Sequence, residues 1–550
     1  MRFRNVNGAD LGRALSVMPV SGGTLRADVD IMSQGRELDV FLRSLRGTVS
    51  ARAEKSRLRS LHGGQNTGGA AFNALDVGLK LKGGAWDQGR LGLDGQWTAT
   101  LADAGLEAGT ELNGMLWFGG DGTGGGDLEL RSLPGSLALT LSPERTGRPE
   151  ALRATVTGAF TCRAARGQLN VRNGHFNALG AEAHGDVQVN LGGTPSWQGK
   201  LSAYSPDLSR SLRLAGYSVS VPAAWNKLEM DAAFKGEAGK LDLSGIRAKL
   251  DQSLLTGSLG LDWRQAFSLN YKLAVDRLNL DRYLGDSKTP AAKTRKTTDK
   301  IWDLRWLRAF RAKGELQVGE LTSWKLRTRQ LRLTSNLEKG RLHYEASAAD
   351  FYGAPLHNQG NMTFNKGLEF ENTLAAEGFN LTAASRDRGG AAVLGGKGVL
   401  HSSVRGQLDG PGQMPARLDG AWDFTVRNGT YQRRAEDGSL KGSPTRFDAA
   451  GASGGIAKGV VRTSDFYLKG KGLNVKGGGW IDFNNDTLDC NFTVNMKNFP
   501  DFPLRLYGSL DNSKTSIGAG TLLLNTIGGI TQGFIDILGG VVEGTWRLFR

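Results

Sequence analysis

Apolar side chains recur at every second position in stretch after stretch of this chain, and that period restricts it to strands with one greasy face. In Thr487–Met496, Leu488, Cys490, Phe492, Val494 and Met496 alternate with polar residues. A helix would place those five around its whole circumference, whereas a strand puts them on one side. Leu255, Gly257, Leu259, Leu261 and Trp263 repeat the pattern, as do Leu269, Tyr271, Leu273 and Val275, and Leu342, Tyr344, Ala346 and Ala348. The phase slips at Ser244-Gly245, which predicts a turn or bulge. Turn signals at spacings of roughly 8–12 residues predict a mainly β chain of about 40 strands.

Composition supports many tight turns. Glycine contributes 79 of 550 residues, twice its usual ~7% share, and proline only 14. Val171-Arg172-Asn173-Gly174 returns as Val426-Arg427-Asn428-Gly429, each followed by an aromatic, Phe176 or Tyr431. Asn-Gly favours a hairpin turn because both residues tolerate positive φ. Such loose repeats read as sheet modules and not as separate domains. Two short helices are weighed, at Lys300–Ala312 and, less decidedly, at Pro206–Leu214.

The end of the chain changes period. Leu523, Ile527, Ile530, Phe534, Ile537, Leu538, Val541 and Trp546 form a helical stripe, predicting an amphipathic helix over 518–550. Asp536 and Glu543 disfavour a membrane span, so an interfacial or sheet-capping role is expected. Met1–Val20 holds no apolar run of anchor length.

The net charge of +15 comes from 69 Lys and Arg against 54 Asp and Glu. Arg327, Arg329 and Arg332 lie among Leu326, Leu331 and Leu333, so a solvated strand face is expected, without an aromatic platform for nucleic acid. Lys288, Lys293, Arg295, Lys296 and Lys300 read as a basic linker or loop over 288–300. No catalytic constellation emerges. Gly451-Ala452-Ser453-Gly454-Gly455 fits the hydrolase elbow formally, but no histidine follows His401 and strand-like residues come next. Gly119–Asp127 is a defective calcium repeat, read as a turn. Cys162 and Cys490 give no disulfide framework. His175 and His184, with only Glu182 between them, are read as surface or turn histidines, so neither metal nor cofactor is expected.

Several segments, in order, resemble the AsmA family of bacterial envelope proteins. They are Asp276–Leu284 (DRLNLDRYL), Gly314–Leu321, Ala349–Gly353 and Pro503–Lys514, the last with Ser513 where proline is usual. The resemblance implies an inner-membrane protein with its bulk in the periplasm and an elongated, curved antiparallel sheet forming a groove. The family's N-terminal membrane helix has no counterpart here, so the expectation is an N-terminally truncated member. Its expected divisions are N-terminal groove modules over 1–287, the linker, family-like modules over 301–517, and the tail helix.

On that basis the expected function is non-enzymatic movement of phospholipid along an apolar groove, supporting outer-membrane biogenesis. The alternative is an assembly factor for outer-membrane proteins that carries no lipid. The expected groove lining is Leu255, Leu259, Leu261, Leu269, Tyr271, Leu273, Leu342, Tyr344, Leu488, Phe492, Val494 and Met496. The tail stripe is expected to dock on a membrane or a partner envelope protein.

Overall fold

A computed structural model describes residues 2–7, 20–21, 24–58, 70–87, 90–103, 106–118, 128–141, 152–163, 167–191, 194–214, 227–284, 304–388, 392–408, 417–434, 440–498, 500–509 and 513–517. The tail stripe, the basic linker 288–300 and Gly119–Asp127 lie outside them. The chain is mainly β and forms two compact units, Met1–Asp251 and Gln252–Arg550. That border precedes the expected one at 287. Strand Ser268–Asn279 belongs with the second unit because it pairs in parallel with Arg311–Ser323, from Ser268 opposite Arg311 to Asn279 opposite Thr322. A parallel pair needs a long crossover, and this one contains helix Leu280–Leu284 and the 3-10 turn Arg305–Ala309. That single turn replaces the helix expected over Lys300–Ala312, since the chain is already a strand from Arg311. Helix Leu208–Leu214 forms where a helix was weighed.

In the first unit each strand from Thr24–Met32 to Lys240–Leu250 pairs antiparallel with the next. In the second the same meander runs from Ser253–Asp262 to Ser513–Ile517, with the one parallel exception. Among the described residues no strand returns to close either sheet. Fifteen strands in the second unit, spaced about 4.8 Å apart, make a sheet on the order of 70 Å across.

The two Asn-Gly pairs are not hairpin turns. Asn173 and Asn428 sit inside strands Gln168–Ala178 and Leu418–Arg434 with φ of 50° and 51°. Each marks a slip in register against a neighbouring strand, so it is a β-bulge. The tight turns fall instead at Leu179-Gly180, Lys339-Gly340 and Lys458-Gly459, where both residues have positive φ. The slip at Gly245, φ +59°, is likewise a bulge.

Candidate functional site

Residues directly opposite one another in a sheet share a face, so the register assigns each expected lining residue to a side. Leu259 lies opposite Tyr271, and the row continues through Gly314, Ser335, Tyr344, Gly360, Asn372 and Val404. It goes on through Gly420, Ile456, Val461, Ile481 and Leu488 to Gly508. Leu261, Leu269 and Leu342 share the next row with Ala312, Leu337, Met362 and Phe370. Leu273 stands with Leu316, Leu333 and Ala346, and Leu255 with Val275, Val318, Leu331 and Ala348. Phe492, Val494 and Met496 alternate with Leu488 on their strand. All twelve therefore occupy one face, and none of the residues in these rows is charged.

Burial divides that face in two. From Ser253–Asp262 to Leu356–Asn365 most of its side chains are half-buried, including Leu255, Leu259, Leu261, Leu269, Tyr271, Leu273, Leu342 and Tyr344. From Gly367–Asn380 to Phe502–Ser509 the same face is a packed core of Phe370, Phe424, Val426, Leu468, Phe492, Leu504 and their neighbours. Leu488, Phe492 and Val494 are 2%, 5% and 0% exposed. These three hold the fold together and do not line an open surface, and Met496 packs against them. An apolar gutter open along its whole length is thus corrected to one that is open over the first strands of this unit and shut over the rest.

Rings lie across glycines on this face. The Tyr344 ring covers Gly360, Phe370 covers Gly406 and Phe492 covers Gly477, where an added Cβ would meet ring atoms at 2.7, 2.6 and 2.7 Å. With Gly477 between them, Phe466 and Phe492 reach a centroid separation of 5.1 Å across three strands. The tyrosine hydroxyls are already engaged. Tyr271 bonds Ser335 at 2.6 Å, and Tyr344 accepts from Asn372 at 2.6 Å, which also donates to Asn358 at 2.9 Å. Burial raises the Tyr344 phenol above its ordinary pKa. The Tyr271 and Tyr344 hydroxyls are thus engaged within the sheet, whereas the buried Trp422 Nε1 on the same face has no hydrogen-bond partner among the described residues.

The first unit carries a comparable face, none of whose residues were expected from the sequence to line a groove. One row runs Ala27, Ala51, Val77, Ala99, Thr110, Leu137, Val156, Phe176, Ala183, Ala203, Met230 and Ala248. Its side chains are half-buried except Leu137, 40% exposed, and the buried Ala248. Among the described residues one small buried cluster is formed by Leu45, Leu79 and Leu81 with Val49, Leu93 and Trp97 against it, and Leu116, Phe160, Val171 and Ile246 of this unit are buried as well. The signal was available in alternations such as Leu137, Leu139 and Leu141.

Charges gather on the other face. Arg327, Arg329 and Arg332 are exposed as expected and pair with Asp387 at 2.8 Å, Glu320 at 3.1 Å and Glu315 at 2.9 Å. Tyr352 accepts from the Arg327 amide and donates to Asp387, and burial pushes its phenol far up. His401 bridges Asp423 at 2.9 Å and Glu377 at 3.1 Å, bonds that hold its pKa above the usual value. An open concavity of about 1070 Å³ lies here, bordered by Arg332, Glu345, Thr373, His401, Asp423 and Ser453. Ala346, Leu374 and Trp422 border it too, so polar and apolar groups share its lining about equally.

The hydrolase-like Ser453 sits mid-strand in Leu440–Ala457 and its hydroxyl donates to Asp465, so there is no elbow. Cys490 is buried, which pushes its thiol up to about 11. His175 and His184, read as separate surface positions, are direct cross-strand partners with rings 4.2 Å apart. Among the described residues no helix is long and apolar enough to cross a membrane. No family model, curated protein or solved structure matches the chain.

Proposed function

We propose that this chain is a non-enzymatic carrier that holds phospholipid acyl chains on the apolar face of its sheets, working between inner and outer membranes as the AsmA resemblance implies. One observation carries the reading. Apolar rows pass from strand to strand without a charge, and over Ser253–Asn365 and much of the first unit most of their side chains stay incompletely buried. Soluble proteins seldom leave contiguous apolar area uncovered unless something else covers it. Each methylene laid on that area gains about 0.8 kcal/mol, and a ligand sliding along a row exchanges one such contact for the next. The charged face keeps the complex wet, and phospholipid and a membrane surface are the partners this chemistry suits. Nucleic acid suits it poorly, because the basic strand Leu326–Glu338 has Arg327, Arg329 and Arg332 already paired with carboxylates.

The second reading, an assembly factor for outer-membrane proteins that carries no lipid, is favoured by the packed core around Phe424 and Val494, which leaves no room for an acyl chain there. Organic extraction of the full-length chain followed by mass spectrometry, with a vesicle-to-vesicle transfer assay using fluorescent phospholipid, separates the two. Co-purifying phospholipid and transfer above the spontaneous rate support the carrier. A lipid-free chain that transfers nothing sinks it.

A further inference from the structure

His175, Glu182 and His184 form a cluster that the carrier reading does not use. His175 on strand Gln168–Ala178 faces His184 on Ala181–Asn190 directly, and the two rings meet edge to face at 4.2 Å. Glu182 lies two residues before His184, on the same face, and one donor atom from each of the three falls within 4.8 Å of the others. Among the described residues the imidazole nitrogens have no hydrogen-bond partner. That separates this pair from His401, held by Asp423 and Glu377, and from His343, held by Asn361 and Glu345. His175 is half-buried and the other two are exposed.

The bulge at Asn173 creates the juxtaposition. Val171 lies opposite Val187, yet after the bulge Gly174 lies opposite Gly185, one step out of the earlier register. Without the extra residue His175 would fall opposite Ala183 and turn to the apolar face with Val171. The Asn173 amide donates to Asp186 at 2.8 Å, fixing the bulge beside the cluster.

We propose that His175, Glu182 and His184 bind a borderline divalent cation, best Zn²⁺, with a fourth position open to water or an anionic group. Two imidazoles and a carboxylate are ordinary zinc ligands at about 2.0–2.2 Å. Tetrahedral coordination then asks for donor atoms roughly 3.4 Å apart. Small rotations of partly exposed side chains bring the three within that spacing. The ion joins two adjacent strands next to their Leu179-Gly180 turn.

The test uses untagged full-length chain, stripped with chelator and titrated with Zn²⁺ by calorimetry. Co²⁺ as a second probe reads four-coordinate geometry from its visible absorption. The expected result is one site per chain. Its affinity falls at least about 100-fold in His175→Ala and in His184→Ala and about tenfold in Glu182→Gln, with His401→Gln unchanged. Far-UV circular dichroism of each variant shows that the sheet persists, and His184→Gln repeats the loss with a side chain of similar size. Absence of stoichiometric binding, or equal affinity in wild type and both histidine variants, overturns the proposal.

Discussion

Truncating Leu273 and Phe492 to alanine, one at a time, probes the open and the shut parts of the same apolar face. Phe492 is 5% exposed, and its ring packs on Phe466 at 5.1 Å with Gly477 beneath. Removing it leaves a cavity the strands cannot close, at a cost of about 3–5 kcal/mol. Leu273 is less completely buried, so alanine there forfeits most of the roughly 1.5–3 kcal/mol that full burial of a leucine gives, about 1–2.5 kcal/mol. A chain of two units does not unfold in one step, so a local measurement is needed. Hydrogen exchange of peptides from Thr487–Met496 and Ser268–Asn279 supplies it. Amides around Phe492 in the first variant are expected to exchange about 10²- to almost 10⁴-fold faster, and those around Leu273 in the second only about 5- to 70-fold faster. Lipid load is expected to move the other way, falling in Leu273→Ala and holding per folded molecule in Phe492→Ala. Unchanged exchange with altered lipid content in Phe492→Ala would show that the buried residues line a lipid path, and the division of the face would be wrong.

Gly477→Ala places a Cβ 2.2 Å from the Asn491 carbonyl oxygen and 2.7 Å from the Phe492 Cα. A loss of about 1–3 kcal/mol in local stability is expected by the same exchange measurement. His401 and His343 both have pKa values raised by hydrogen bonds, first to Asp423 and to Asn361 respectively. The protonated form is therefore favoured by folding. Its contribution is complete below the unfolded histidine pKa and disappears as pH rises through the folded value. Replacing both by Gln is expected to shrink the fall in denaturation midpoint between about pH 5.5 and about pH 8. The Cys490 thiol, pushed up to about 11 by burial, is expected to resist thiol reagent at about pH 8 until denaturant is added, as timed by absorbance of the released chromophore.

The period of two was enough to reveal the fold class, because side-chain alternation in a strand is a local property that Leu488 to Met496 display without reference to anything distant. It grouped the candidates on one side of each strand, and the register, through one parallel and several bulged pairings, shows that all twelve share a face. The described residues hold 29 strands against the roughly 40 expected, because turn spacing hides long strands such as Ala70–Asp87 and Leu440–Ala457. Part of the glycine excess has a cause that composition could not name. Gly360, Gly406 and Gly477 are seats for rings carried by neighbouring strands, a relation visible only once register is known. The pairing of His175 with His184 was hidden for the same reason, since one bulged residue, Asn173, decides which face His175 occupies. Reading Asn-Gly as a turn gave it the right backbone conformation in the wrong context: a positive φ at asparagine serves a bulge as well as a hairpin.

The division between open and shut regions also restricts how a carrier built this way can work. Phe424 and Val426 are wholly buried, and Leu468, Leu488 and Leu504 nearly so, at the density of a protein core. An acyl chain could displace them only by forfeiting contacts worth several kcal/mol for each side chain moved. The open strands ask for no such exchange, because Leu259, Leu269, Leu273 and Leu342 already present carbon to solvent. Under the proposed function, lipid therefore loads and leaves over Ser253–Asn365 in this unit, and the strands from Gly367 onward serve as its rigid end. A leucine-to-aspartate change at Leu333, in the same row as Leu273, sets a charge across the open rows. It is expected to stop transfer while leaving exchange protection in Thr487–Met496 intact. Transfer that continued past such a charge would mean that acyl chains do not travel on this face at all.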